Sequence, residues 1–336
     1  MGGWMRMGRA WLVIFSIGLL LAWLIWMPSP KEPGYRFVLA WGGAGKGPAL
    51  FQDPTGIALS GNEVFVSDSR NGRIQVFDFE GRFKRAFGQG ILGRPMNLAY
   101  QNGVLYVADF WHDKLWLFGV DGKLQRAIGR SGQGAGEFDS PAGVAVGPDG
   151  DIYVADFYNQ RIQRLHQDGE FVRQWGKTGK IGIWAGQFNY PTAVAVARDG
   201  TLFVADGYND RIQVFSAEGA FRRKWGGPFA VNIFGPFPGW FATVTGVTLD
   251  SDGCVYVADF YNHRVQKFTA GGRFLTAFGE YGQAPGQFDR AMAVAVAASG
   301  EVFVVDHGNQ RIQKWQKKDE QRVSYRSSRC SIGSHR

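Results

Sequence analysis

One short motif recurs six times along the chain, as "VSDSRNGRIQVF", "VADFWHDKLWLF", "VADFYNQRIQRL", "VADGYNDRIQVF", "VADFYNHRVQKF" and "VVDHGNQRIQKW". Its aspartates Asp68, Asp109, Asp156, Asp206, Asp259 and Asp306 stand 41, 47, 50, 53 and 47 residues apart. A period of that size marks an array of small β-sheets around an axis, because one such unit cannot bury its apolar faces alone. Each full unit divides into four alternating apolar segments separated by Asp-Gly or similar hairpin signals, as in "PAGVAVGPDG", "DIYVAD", "RIQRLHQDG" and "EFVRQWG". The first segment is rich in small residues such as Gly143 and Ala145, suited to crowding at an axis. The fourth carries bulk, with Phe87, Trp175 and Phe278 where a wedge-shaped blade widens. The expected fold is all-β: a six-bladed β-propeller of four-stranded antiparallel blades.

Three segment types occur six times, but the outer one follows only five of the units, and the sixth runs into a polar tail after Trp315. The missing copy stands at the other end of the propeller, where "RFVLAWG" (residues 36–42) has the outer-strand pattern. Residues 36–42 are therefore expected to complete the last blade and close the ring, giving a propeller over 36–315 and a basic disordered tail over 316–336.

Composition agrees with many short strands: 48 glycines, 15% aromatic residues and no long helical period. The formal charge of +8 is carried mainly by the two ends, so the propeller body is nearly neutral. That argues against a phosphate-binding groove and against nucleic acid as a partner. Residues 10–27, "AWLVIFSIGLLLAWLIWM", carry no charge, and as a helix would span roughly 27 Å. With Arg6 and Arg9 before them, they predict a transmembrane signal anchor, with 1–9 cytoplasmic and 28–35 a Pro-rich spacer. The expected localisation is the inner (cytoplasmic) membrane, single-pass, with the propeller on the periplasmic, extracytoplasmic side. Cys254 and Cys330 have no metal-ligand spacing and are expected to be unpaired.

The pattern P-x-G-V-A-V, then V-Y-V-A-D-x-x-N-x-R-I-Q, then G-x-F-x-x-x-W-G resembles the NHL repeat family over nearly all of residues 36–315. Two departures stand out. The second unit has His112 and Lys114 in place of Asn and Arg, and the fifth and sixth lack the opening proline. Because the Asp-x-x-Asn-x-Arg set appears in nearly every unit, it reads as a structural brace rather than six copies of a catalytic centre. Its members are Asp68, Asp109, Asp156, Asp206, Asp259 and Asp306 with Arg73, Arg161, Arg211, Arg264 and Arg311.

Lyases of peptidyl-hydroxyglycine, which are similar propellers, hold zinc on histidines just after the blade-opening proline. Here those positions are Thr55, Met96, Ala142, Thr192, Thr245 and Met292, and no catalytic residue, metal ligand or cofactor is assigned. Function is expected where the units differ, on the face reached by the turn after the second strand and by the crossovers. That face collects Arg70, Phe110, Trp111, Phe157, Tyr158, Tyr208, Phe260, Tyr261 and His307. It also carries Trp184 in one crossover, and Phe234, Phe237 and Trp240 in the insertion Gly227 to Phe241. Exposed aromatics favour recognition of a protein or peptide, either over the face itself or with the insertion folded down as a plug. The expected function is thus a membrane-anchored binding or scaffold module, for instance a subunit of a membrane complex. The alternative is a metal-dependent propeller enzyme of lyase or lactonase type.

Overall fold

The structure is a computed structural model that describes residues 28–318 and 330. Its strands, in chain order, begin with β1 (Tyr35–Gly42) and then fall into six groups. Blade one holds β2 (Pro54–Ser60), β3 (Glu63–Asp68), β4 (Arg73–Asp78) and β5 (Phe83–Phe87). Blade two holds β6 (Pro95–Gln101), β7 (Val104–Asp109), β8 (Lys114–Gly119) and β9 (Leu124–Ile128). Blade three holds β10 (Pro141–Val146), β11 (Ile152–Asp156), β12 (Arg161–Leu165) and β13 (Phe171–Gly176). Blade four holds β14 (Pro191–Val196), β15 (Leu202–Asp206), β16 (Arg211–Phe215) and β17 (Phe221–Trp225). Blade five holds β18 (Val244–Leu249), β19 (Val255–Asp259), β20 (Arg264–Phe268) and β21 (Phe274–Phe278). Blade six holds β22 (Ala291–Val296), β23 (Val302–Asp306) and β24 (Arg311–Lys317), and its fourth strand is β1.

Strand β1 runs antiparallel to β24 from Tyr35 opposite Lys317 to Gly42 opposite Arg311. Six hydrophobic clusters each straddle two neighbouring blades, and one of them joins blade six to blade one through Phe51, Val66, Phe303 and Val305. The core is thus a closed circuit of inter-blade seams. Small residues on the inner strands permit this crowding. A Cβ on Gly143 would stand 2.7 Å from both the Ala193 Cα and the Thr192 carbonyl of the next blade.

The repeated aspartate closes the hairpin between second and third strands, where Asp156 is paired across from Arg161. One Asp156 oxygen accepts from Arg161 Nε at 2.7 Å, Asn159 Nδ2 at 2.9 Å and Gln163 Nε2 at 3.1 Å; the other accepts the Asp139 N–H at 2.8 Å. The free end of Arg161 then donates to the carbonyls of Gln133, Gly134 and Glu137, which belong to the crossover entering the same blade. The pattern repeats at Asp68, Asp206, Asp259 and Asp306 with Arg73, Arg211, Arg264 and Arg311. Burial lifts the carboxyls of Asp156, Asp206, Asp259 and Asp306 above the usual range, Asp259 to about 6, and the surrounding donors oppose that lift. In blade two Asp109 accepts instead from His112 Nδ1 at 2.7 Å and Trp116 Nε1 at 2.9 Å, while the Lys114 ammonium lies over the Trp116 ring.

A second set of contacts links blade to blade. The residue four places after the aspartate has a left-handed backbone, with φ of 53° at Asp113, 57° at Gln160, 51° at Asp210, 53° at His263 and 54° at Gln310. Each of these side chains accepts a backbone N–H from the entry to the next blade: Ser140, Tyr190, Thr243, Arg290 and Asp53 respectively. Blade one has Gly72 at this place, with φ 58°, and a Cβ there would meet the Leu92 carbonyl at 2.8 Å. The staple is therefore missing between blades one and two. There, Ser67 Oγ donates to the Met96 carbonyl at 2.6 Å.

Several expectations need correction. No helix among the described residues is long and apolar enough to cross a membrane, and this overturns the single-pass placement in the inner membrane with a periplasmic propeller. Every described strand is eight residues long or shorter, and the described helices are three-residue turns. The anchor segment, residues 10–27, and residues 1–9 lie outside the described residues. Residues 28–34 do not stand clear as a spacer: the Lys31 and Glu32 amides both donate to the Leu275 carbonyl, and Glu32 pairs with Lys267 at 2.8 Å. Cys254 and Cys330 form a disulfide, with their Cα atoms 5.1 Å apart. A separation of 76 residues concealed this pairing.

Three outcomes are expected. Deleting residues 36–42 strips the outer strand from blade six, and size-exclusion chromatography and thermal melting of the variant should show association or a lowered melting temperature. Asp206→Ala leaves the Arg211 guanidinium, 0% exposed, without its carboxylate. Denaturant unfolding should then register a loss of about 3–5 kcal/mol. His263 Nδ1 must be unprotonated to accept the Arg290 N–H, and burial holds its pKa below the ordinary value, with Asp289 opposing and Arg290 assisting that shift. The unfolded chain therefore takes up this proton first, so the contribution is complete above the unfolded pKa and is lost as pH falls through the lower folded one. His263→Gln, which installs the residue found at Gln160 and Gln310, should lose less melting temperature than the wild type between roughly pH 7.5 and 5.

The aromatic channel mouth as candidate functional site

The braces hold every crossover against the turn between the second and third strands, so both emerge on one face of the ring as a fixed surface. At its centre lies a cavity of about 520 Å³. Its floor is the second residue of each inner strand: Thr55, Met96, Ala142, Thr192, Thr245 and Met292. Beyond it the channel continues as a narrower space of about 270 Å³ between the middles of the six inner strands, lined by residues such as Ala58, Ala99, Ala145, Ala195 and Ala295. The floor positions supply hydroxyls, thioethers and a methyl group, but no imidazole or carboxylate. Thr192 Oγ1 already donates to the Val244 carbonyl at 2.7 Å and Thr245 Oγ1 to the Ala291 carbonyl at 3.3 Å.

The walls are aromatic. Phe157 is the hub, with ring centroids 5.8 Å from Phe110, 5.1 Å from Tyr158, 4.8 Å from Tyr190 and 6.4 Å from Tyr208. Opposite, Phe260 packs edge-on to Tyr261 at 4.9 Å. Tyr158, Tyr208 and Tyr261 are 48%, 51% and 61% exposed, so the rings are presented to solvent rather than consumed by the core. Burial, and then the neighbouring phenols of Tyr261, Tyr158 and Tyr190, raise the Tyr208 pKa above its ordinary value. Its hydroxyl therefore remains a neutral donor throughout the physiological range.

Of the residues expected at this face, Phe110, Phe157, Tyr158, Tyr208, Phe260 and Tyr261 line the cavity together. Trp111 stands beside it, 63% exposed. Arg70 is occupied by Asp53 at 2.5 Å. His307 is a strut, its Nδ1–H donating to the Pro54 carbonyl at 2.9 Å across the seam between blades six and one. Trp184, Phe234, Phe237 and Trp240 do not reach the mouth. The insertion is held away from it because Arg211 donates to the Ala230 carbonyl at 2.9 Å and to the Trp184 carbonyl at 3.1 Å, fastening both crossovers beside the brace. The insertion is not a plug.

Four lining residues were missed in the sequence: Arg94, Asn97, Tyr190 and Thr243. Three of them, Arg94, Tyr190 and Thr243, occupy the place just before the inner strand, which reads Asp53, Arg94, Ser140, Tyr190, Thr243 and Arg290 around the ring. The signal was available as variation at a fixed register position, outside the motif that carries the repeat.

Four stretches of the chain, residues 51–77, 138–165, 188–215 and 241–268, match the NHL repeat. Each runs from the buried phenylalanine of a crossover through the third strand. The chain is thus a six-bladed β-propeller carrying NHL repeats, with an open aromatic mouth on the crossover face. Among curated proteins, a 40-residue stretch is 50% identical to Protein brain tumor of Drosophila melanogaster; it makes up 12% of this chain and 4% of that protein's length. Among solved structures, a Bacteroides thetaiotaomicron protein of unknown function is similar with a TM-score of 0.66 at 15% identity, covering 86% of this chain and 84% of that one. Virginiamycin B lyase from Staphylococcus aureus is similar with a TM-score of 0.54 at 16% identity, covering 80% and 96%. At such identities the likeness of the solved structures is one of fold.

Proposed function

We propose that the chain is a binding or scaffold module whose protein or peptide partner docks on the aromatic channel mouth. One observation carries this reading: residues that vary from blade to blade, and serve neither brace nor core, converge as a ring of half-exposed aromatics around a single cavity. Large rings on a rigid frame desolvate much area with little loss of side-chain freedom, which is what a recognition surface needs. A photoreactive phenylalanine analogue at position 158 should crosslink a partner that the same analogue at position 84, on an outer strand, does not. Trp111→Ala with Phe157→Ala should abolish that crosslink without lowering the melting temperature beyond a few degrees. Equal crosslinking from both positions, or no effect of the double substitution, would sink the proposal.

The likeness to virginiamycin B lyase keeps a second reading in view, a metal-dependent enzyme of lyase or lactonase type. The floor of the mouth, with Thr, Met and Ala at its six positions, supports binding over catalysis. Stoichiometric zinc or calcium in the purified chain, with lyase or lactonase turnover abolished by chelator, would favour the enzyme.

A further inference from the structure

The six places just before the inner strands differ in charge. Asp53 is answered by Arg70 at 2.5 Å, and Arg290 by Asp289 at 3.1 Å. Arg94 is answered by nothing: among the described residues its guanidinium makes no ion pair and no hydrogen bond, and its Nε is buried without a partner. It lies over the Phe110 ring at 5.7 Å and the Trp111 ring at 5.8 Å, facing the mouth, and no carboxylate lines the cavity. The backbone at Arg94 also departs from its counterparts. Gly72 has no side chain to accept the Arg94 N–H, and that amide donates instead to Asp109 of its own blade at 2.9 Å, beside the Gly93 N–H at 2.8 Å that has a counterpart in every blade.

Resting on the binding reading above, we infer that the mouth takes a peptide presenting a carboxylate beside an aromatic or bulky apolar residue, with Arg94 as the carboxylate's partner and the ring around Phe157 as the seat of the apolar group. A guanidinium that keeps an unmet buried N–H gains most from a planar anion able to accept two parallel hydrogen bonds. The cavity lies within the range of small-ligand sites, about 300–1,000 Å³, so it admits the tip of a chain rather than a folded surface. One uncompensated cation matches one carboxylate. It does not match a nucleic acid, whose affinity grows with each of several neutralised phosphates.

The carboxylate could be a chain terminus or an Asp or Glu side chain, and a synthetic array separates these. Random hexapeptides would be made in three forms: free C-terminus without internal acids, C-terminal amide with one internal acid, and C-terminal amide with none. The full chain should bind one of the two acidic forms about tenfold or more tightly than the acid-free amides, with aromatic residues enriched next to the carboxylate. Arg94→Gln should erase that preference and Arg94→Lys restore only part of it, with melting temperatures held near the wild type. If the wild type binds all three forms equally, or Arg94→Gln keeps the preference, the carboxylate inference is overturned and the peptide-binding reading stands. If none of the three forms binds, both fall. Oligouridylate binding at the mouth more tightly than any peptide would overturn the inference in favour of nucleic acid.

Discussion

A buried carboxylate at the end of each second strand is the interaction on which the rest of the ring depends. Taken out of water, it is tolerable only because its lone pairs meet an arginine, an asparagine, a glutamine and a backbone amide, as at Asp156. The same arginine spends its remaining donors on crossover carbonyls. A long irregular segment is thereby held as firmly as a strand. Without it, the loops that form the mouth would have no fixed place, and the aromatic rings they carry could not converge.

Repetition of that brace frees other positions to vary. The aromatic pair after the aspartate and the residue before each inner strand are excluded from the ladder and from the inter-blade clusters, so their identity is not dictated by packing. Blade two shows the consequence. Lys114 stands in place of the clamping arginine, Gly72 of blade one offers no lateral staple, and Arg94 at the entry lies against two aromatic rings. The asymmetry of the mouth thus grows from the blade that departs furthest from the repeat.

Much of the fold was legible along the chain, for physical reasons. Strand alternation has a period of two, hairpins need glycine or Asp-Gly, and the outer strand missing after Trp315 could only be matched by the pattern at 36–42. The brace residues were legible because they recur in register, and Phe157 and Tyr158 because their two places vary among the units. Other features were hidden by distance. Arg94 is two blades from the sixth-blade floor residue Met292 with which it shares the cavity. Cys330 meets Cys254 across a separation of 76 residues. That Trp184 and Phe234, placed on the crossover face, do not line the cavity could not be read from spacing, because it follows from Arg211's hold on both crossovers. Residues 10–27, read as an anchor from their hydropathy, lie outside the described residues.

By itself, the sequence determined the unit, its number and its closure, since local turn chemistry, strand period and register are written into contiguous residues. It also determined that chemistry must lie between the repeated positions rather than on them. The tertiary structure decided which of the variable side chains face a common space, and which cation there lacks a counter-charge. Those are properties of the packed ring: pairing, burial and convergence arise only when crossovers from different blades are brought to one axis.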